Sequence, residues 1–251
     1  MKTKSQKFRG AVQILNFNWT FYVAALIVII VGILLLVNIQ MPSWMFVLGI
    51  FAISLTAFWS LGSLAVSHYV YDRSKLYKLS WLDSLLDHAP TNWINIHAGL
   101  DESSIFLRDY FPASKMQILD IYDPATMTEP AIERARNLTE PELQSIPSDF
   151  RRLPIPSQTC EAVFVFFAAH ELRTAESRLS FFREVYRILK ANGTLIVVEH
   201  LRDTPNFLAF GPGFFHFLKH ADWIDAARFS NFRTTEEIKI TPFVSAFKFS
   251  K

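Results

Sequence analysis

The sequence predicts an α/β protein: a doubly wound, mostly parallel, seven-stranded sheet preceded by two transmembrane helices. Three observations carry this. From Gly10 to Tyr71 no Asp, Glu, Lys or Arg occurs. Between Trp93 and Arg136 there follow an apolar run, a short loop containing a glycine, a helix-like segment and a second apolar run ending in Asp120. A nucleotide-binding α/β domain begins in that order. Two continuous apolar runs, 162–167 (AVFVFF) and 194–199 (TLIVVE), have the character of parallel strands buried on both faces.

The charge-free stretch holds two apolar runs, 19–37 and 44–66, separated by NIQMPS. Each has about the twenty residues a helix needs to cross the hydrocarbon core. Trp19, Tyr22, Trp44 and Tyr69 lie near the ends, where amphipathic rings prefer to sit. Lys2, Lys4, Lys7 and Arg9 precede the first run, Arg73, Lys75 and Lys78 follow the second, and the connecting turn has no charge. The positive-inside rule then places both termini in the cytoplasm. A signal peptide has a shorter apolar core and a cleavage site, and a soluble core helix shows a polar face. Residues 1–71 therefore read as an anchor in the cytoplasmic (inner) membrane, with the soluble domain in the cytoplasm. Gly49, Ser54, Gly62 and Ser63 offer small surfaces for helix contact, within one hairpin or between copies in a homo-oligomer. His68 reads as a snorkelling polar residue.

Residues 72–90 show Leu76, Leu79, Leu82, Leu85 and Leu86 at helical spacing, which predicts an amphipathic linker helix ended by Pro90. The α/β domain, 91–251, follows. Strands are predicted at 93–96, 116–121, within 143–146, and at 162–167, 194–199, 234–240 and 243–249. Helices are predicted at 102–110, 128–137, 175–190 and 214–229. Asn192-Gly193 reads as a helix cap. The glycines and proline of 205–213 predict a loop, and its aromatic run, FLAFGPGFFHF, suits an entrance for a lipophilic ligand or packing under the next helix. The formal charge of +2 argues against nucleic acid as a partner. Cys160, the single cysteine, excludes an internal disulfide and reads as a small core residue.

In an open α/β sheet, ligands bind at the carboxyl ends of the strands. This reading places His97, Asp101, Asp120, His170, Glu171, Glu199 and His200 there, with His216 and His220 on the next helix. A carboxylate at Asp120 can accept both hydroxyls of a ribose, and Gly99 lets the backbone approach a ligand closely. His200 and His170 suit a general base, since imidazole titrates near neutral pH, and Glu171 and Glu199 suit orienting those rings. Glu171 and Glu199 suit helix capping, or pairing with Arg173 and Arg202, equally well. His97, His170, His200 and His216 with a carboxylate have the chemistry of a zinc, iron or manganese site. No ligand spacing such as H-E-x-x-H occurs, so the sequence assigns no metal ligand.

From about Tyr71 onward the chain resembles the class I S-adenosylmethionine-dependent methyltransferases, and within them the quinone C-methyltransferase group. The segments DFRRLPIPSQTCEAVFVFFAAHEL and REVYRILKANGTLIVVEH carry the resemblance. They match an Asp-containing turn (Asp149), Leu153-Pro154-Ile155, a fourth strand, Glu184 to Lys190 with Gly193, and a fifth strand. The resemblance implies S-adenosylmethionine as cofactor. It implies that Asp120 holds the ribose, and that Asp149 binds the adenine amino group, with Phe150 as backbone donor or stacking wall. It places Phe167 and Ala168 at the methionine end. The glycine-rich loop of the family aligns with Asn95, His97, Gly99 and Asp101, so only one glycine remains. The resemblance implies a membrane-anchored methyltransferase acting on a lipophilic acceptor such as a quinone, a phenol or a lipid. The altered loop suits equally a domain of this fold that has lost methyl transfer and serves as a ligand-binding or scaffold module.

Overall fold

Parallel strands lie at the middle of the sheet because those at its centre, above all AVFVFF and TLIVVE, are apolar on both faces and must be covered by helices. The computed structural model describes residues 8–139 and 142–251. Its strands are β1 (Asn92–His97), β2 (Lys115–Asp120), β3 (Ile146–Pro147), β4 (Cys160–Phe166), β5 (Leu189–His200), β6 (Arg233–Thr241) and β7 (Val244–Ser250). They form one seven-stranded sheet in the order β3-β2-β1-β4-β5-β7-β6. Strands β1 to β5 pair in parallel, and β7 enters antiparallel between β5 and β6. Between β1 and β4 the strand order reverses, and this switch point is where a crevice opens at the carboxyl edge.

Helices α4 (Ser104–Tyr110), α5 (Pro130–Leu138), α6 (Ala175–Ile188) and α8 (His220–Arg228) complete the sheet unit. The core joins Ile94, Ile96, Leu119, Val163, Val165, Phe182, Val197 and Phe247 with Trp223 and Phe232. Cys160 lies in it, its thiol pushed up to about 12 by burial.

Four local expectations are corrected. The helix expected at 214–229 begins only at His220, and His216 belongs to a 3-10 turn before it. The linker helix at 72–90 is instead two 3-10 turns, Leu76–Lys78 and Ser80–Ser84, joined by Leu79 at φ 58. Leu76, Leu79, Leu82 and Leu85 are all buried. Their three-residue spacing suits the 3-10 repeat, in which i and i+3 eclipse. The loop expected at 205–213 is helix α7 (Thr204–Phe210) followed by the 3-10 turn Gly211–His216. Pro205 falls in the first turn, where its missing N–H costs nothing, and Gly211 (φ 54) stands just past the end. Asn192-Gly193 caps no helix: α6 ends at Ile188, and Asn192 (φ 64) kinks the start of β5.

A second compact unit comprises the residues up to Arg73 together with Thr204–Phe214, and Ser74–Asp203 with Phe215–Lys251 forms the sheet unit. In the first, α1 (Arg9–Phe17), α2 (Trp19–Asn38) and α3 (Ser43–Ser67) precede a π turn, His68–Arg73. Among the described residues, two helices are long and apolar enough to cross a membrane, by length and composition. They meet where Gly49 faces Leu36, Gly32 faces Ile53, and the Tyr22 and Ser63 hydroxyls lie 3.1 Å apart. Gly62 faces the Ala209 carbonyl of α7 instead, and Trp59 packs against Phe207 and Gly211. His68 has a specific partner: its Nδ1 lies 2.9 Å from Asp72 Oδ2. Asp72 in turn accepts the Gly10 and Ala11 N–H groups at the start of α1. Lys2, Lys4 and Lys7 lie outside the described residues.

At the amino edge of the sheet, Glu161 accepts the Thr91 N–H (2.7 Å), the Thr91 hydroxyl (2.8 Å) and Lys190 Nζ (3.0 Å). These donors hold its carboxyl down at about 2 against an ordinary 4.5. A depressed carboxyl contributes stability above its unfolded value and loses it as pH falls through the folded one. Glu161→Gln should cost about 1 kcal/mol at neutral pH, after allowance for solvent screening. The difference from wild type should shrink as pH falls from 4.5 towards 2. Denaturant titration of the full chain in detergent across that range checks it.

Candidate functional site

The polar side chains of the carboxyl edge fall into two groups, one at the tips of β1 and β2 and one at the tips of β4 and β5. In the first, Asn95 is fully buried, and its Nδ2 donates to Ser104 Oγ (2.7 Å), Ser103 Oγ (3.0 Å) and Asp101 Oδ1 (3.3 Å). Asp101 Oδ1 also accepts the Ser103 and Ser104 N–H groups at the start of α4. Asp101 thus satisfies donors that a helix leaves unpaired in its first turn, where negative charge is favoured. The acid that departs from a glycine loop has a structural use here.

Gly99 has φ 92, and its N–H donates to Asp120 Oδ1 at 2.9 Å. A Cβ at Gly99 would lie 3.0 Å from Ile132 Cγ2 and 3.1 Å from Arg136 Cδ. Asp120 Oδ1 also accepts the Tyr122 N–H (3.0 Å), and Oδ2 accepts Arg136 Nη1 at 2.6 Å. The guanidinium lies 4.4 Å over the Tyr122 ring. Burial would raise the Asp120 carboxyl, but Arg136 and the Tyr122 N–H outweigh it and hold the pKa below its ordinary value. His97 is buried 3.6 Å from Asp120 Oδ1, beyond hydrogen-bond reach. Neither of its ring nitrogens has a hydrogen-bond partner among the described residues, and the same holds for Asn95 Oδ1. Burial lowers the His97 pKa, against the opposing pull of Asp101 and Asp120, so the ring is neutral.

Asp149 is half exposed, accepting the Arg151 N–H at 2.8 Å and Arg151 Nη1 at 3.4 Å. The Phe150 ring belongs to the core, with the Arg151 guanidinium 4.1 Å over it.

In the second group, Phe167 ends β4 with φ 48. A left-handed backbone costs a non-glycine residue about 1–2 kcal/mol, and such strain clusters at functional sites. Its ring stacks on His200 at 5.2 Å, and Phe217 stacks on His200 at 4.8 Å. His200 Nδ1 lies 2.8 Å from the Phe243 carbonyl. A carbonyl can only accept, so Nδ1 carries the proton that bonds it.

His170 sits in the 3-10 turn Ala169–Glu171. Its Nδ1 is 2.8 Å from Glu199 Oε2 and its Nε2 is 3.1 Å from Glu171 Oε1. Burial would depress this imidazole, but Glu199 and Glu171 outweigh it and lift the pKa to about 10. Held as a cation, His170 has no nitrogen left to accept a proton at neutral pH, so the two histidines expected as bases are not equivalent. His216 meets His170 edge to face at 5.0 Å. Burial and the neighbouring His170 push its pKa down to about 3, which leaves it neutral. Arg173 Nη1 donates to the carbonyls of His170 (3.2 Å) and His216 (2.7 Å) and ties their segments together. The structure thus brings His170, Glu171, Glu199 and His216 together, whereas His220 pairs with Glu237 on the surface at 2.9 Å. Arg136, Tyr122 and Phe243 are site residues the sequence analysis did not single out. None lies in a motif, and only the packing of α5 brings Arg136 to Asp120.

Residues 116–197 match a family model described as a methyltransferase domain. Comparison with curated proteins found no match. Among solved structures, the chain is similar to a SAM-dependent methyltransferase from Aquifex aeolicus, with TM-score 0.52 and 16% identity over 72% of this chain and 94% of that one. It is similar to the PH0226 protein of Pyrococcus horikoshii OT3, with TM-score 0.51 and 18% identity over 72% and 94% of the two chains. It is also similar to the cyclase SpnF, with TM-score 0.50 and 13% identity over 72% and 81%. At these identities the likeness establishes the fold, a Rossmann-like methyltransferase fold. The matched segment runs from β2 into β5 and so covers the middle of that fold.

The positive φ and the close approach of α5 both require glycine at position 99. Gly99→Ala should destabilise the protein by about 1–3 kcal/mol. Asp101→Ala, which removes a helix-start acceptor, should cost about 1 kcal/mol. Denaturation midpoints of the two variants in detergent check this order.

Proposed function

We propose that the protein is a membrane-anchored, S-adenosylmethionine-dependent methyltransferase acting on a lipophilic acceptor of quinone, phenolic or lipid-like character. One observation carries the reading: the imidazole of His200, clamped between Phe167 and Phe217 and fixed in one tautomer by the Phe243 carbonyl, stands at the tip of β5 in a methyltransferase-fold sheet.

The residues present fit the cofactor. Asn95 Oδ1 and both His97 ring nitrogens are buried without a partner among the described residues at the tip of β1, and Asp120 stands at the adjacent tip of β2. When bound, the cofactor supplies an electrophilic methyl group. Asp120 would hold the ribose after Arg136, the half-exposed member of their pair, swings away. Asp149 and the Phe150 backbone would face the adenine end, and Asn95 and His97 would offer polar atoms to the rest of the molecule. His200 Nε2 would take the proton that an acidic acceptor loses. The Phe167 and Phe217 rings would exclude water and suit an aromatic acceptor. The apolar helices α2 and α3 would hold the protein in the bilayer beside such an acceptor, with both termini cytoplasmic, and would offer a surface for self-association.

A second reading is a domain of this fold that binds a ligand, or organises a membrane-bound complex, without methyl transfer. The observation in its favour is the closed state of Asp120, whose oxygens are taken by Gly99, Tyr122 and Arg136.

Calorimetry with S-adenosylmethionine on the full chain in detergent separates the two. Under the first reading the cofactor binds, and Asp120→Ala costs about 1.5–3 kcal/mol of binding, the range for hydrogen bonds to a charged group. That is roughly ten- to more than a hundredfold in affinity. His200→Ala should lower turnover by about 10²–10⁴ while cofactor affinity stays within a few fold. No binding by wild type or by Arg136→Ala would overturn the first reading in favour of the second.

A further inference from the structure

We propose that His170, Glu171 and His216 form a binding site for a divalent transition-metal ion, with Glu199 and Glu129 orienting the two imidazoles. One ligand atom from each of the three residues lies within 4.8 Å of the others. His170 Nε2 is 3.1 Å and His216 Nε2 is 3.9 Å from the same oxygen, Glu171 Oε1. Ligands at about 2.0–2.2 Å from an ion stand roughly 3–3.5 Å apart, so a cluster whose ligand atoms lie within 4.8 Å closes on an ion by side-chain shifts of roughly 1–2 Å.

The far side of each ring carries the second argument. Metal-bound histidines donate their other N–H to a carboxylate or carbonyl, which fixes the tautomer and raises basicity. His170 Nδ1 is hydrogen-bonded to Glu199 Oε2 at 2.8 Å, and Glu129 Oε1 stands 3.6 Å behind His216 Nδ1, just beyond hydrogen-bond reach in the metal-free geometry. Both rings therefore present Nε2 inward with a carboxylate behind them. A simple ion pair between His170 and its acids explains neither the second imidazole nor the acid behind it. It also leaves Glu171 Oε2 buried with no hydrogen-bond partner among the described residues. An ion drawing on both Glu171 oxygens satisfies that atom.

Two imidazoles and one carboxylate are the donor set of catalytic zinc and of non-haem iron(II), with manganese and cobalt as further candidates. An ion here would take the place of the proton between His170 and Glu171. The His216 side chain is 31% exposed against 6% for Glu171, so one side of the site stays open to water or an oxygen ligand. That an acceptor oxygen fills this open position rests on the methyltransferase reading, but the metal site itself does not.

The test therefore uses metal alone. Full-length protein in detergent, stripped with chelator, is titrated with zinc chloride by calorimetry and with cobalt(II) by absorption. One zinc per chain should bind, and cobalt should give the visible bands of a four- or five-coordinate site. His216→Ala and Glu171→Gln should each weaken zinc binding at least a hundredfold. Glu129→Gln should weaken it by about tenfold to a hundredfold, as loss of an orienting partner does. His220→Ala, with circular dichroism confirming that every variant folds, should bind as wild type does. His216 is partly exposed, so its removal leaves the core intact. Equal zinc affinity in wild type and His216→Ala, loss of binding in His220→Ala, or a cobalt spectrum of the hexa-aquo type would each overturn the proposal.

Discussion

The parallel pairing of β1 with β4 is the constraint from which the rest follows. Trp93 to Ile96 lie beside Ala162 to Val165 with both faces covered, so an unpartnered polar group along their length is costly. Asn95 Oδ1 and the Trp93 indole N–H carry that cost within β1, and the other polar side chains of the site stand where the strands end. The order of the sheet reverses at this pair, so the connections after β1 and β4 leave on opposite sides and their first residues face a shared crevice. Asn95, His97 and Gly99 arise from one strand end, and Phe167, His170 and Glu171 from the other. Burial that forces polarity to the edge is what makes a site there at all.

The sheet was legible because continuous apolar runs of strand length leave little choice. AVFVFF and TLIVVE could be placed within two residues at most of their borders, apart from the irregular opening of β5, where the left-handed Asn192 precedes the straight part of the strand. Local geometry was less legible where two periodicities agree. Leucines at every third position satisfy an α-helix and a 3-10 turn alike, and Leu79 in the left-handed region decides for the latter. Pro205 and Gly211 read as loop-formers by type, yet they stand at the two ends of α7, where those types are welcome. Helix α1 (Arg9–Phe17) was hidden because its first residue reads as the cationic flank of a membrane span.

The site was legible in its residue types and illegible in its groupings. His200, His170 and Glu171 could be placed at strand tips, but tertiary packing decides which histidine remains able to accept a proton. Between two carboxylates His170 is a cation, whereas His200 lies between two phenylalanines with its Nδ1 proton held on a carbonyl. His216 reaches its partners from a distant segment, and no sequence spacing encodes that meeting. The substitutions in the first loop divide in the same way. Asp101 is explained by the start of α4, while His97 is buried with idle nitrogens, as a residue kept for something other than packing would be.

The arginine that closes Asp120 also bounds how far the closed state can hinder a ligand. Apparent affinity falls by the fraction of molecules in which the carboxylate is open. An ion pair with one member half exposed contributes about 0.5–1 kcal/mol, and a tenfold change in affinity needs about 1.4 kcal/mol. Rotation of Arg136 therefore weakens a ligand by only a few fold, and more weakly still in high salt, which screens the pair. Selectivity at this edge must then come from the groups that cannot swing aside. Gly99 and Tyr122 hold Asp120 through backbone N–H groups, which do not depend on the rotamer of the arginine. The carboxylate is aimed before any ligand arrives, and the arginine acts as a counter-ion in waiting more than as a barrier.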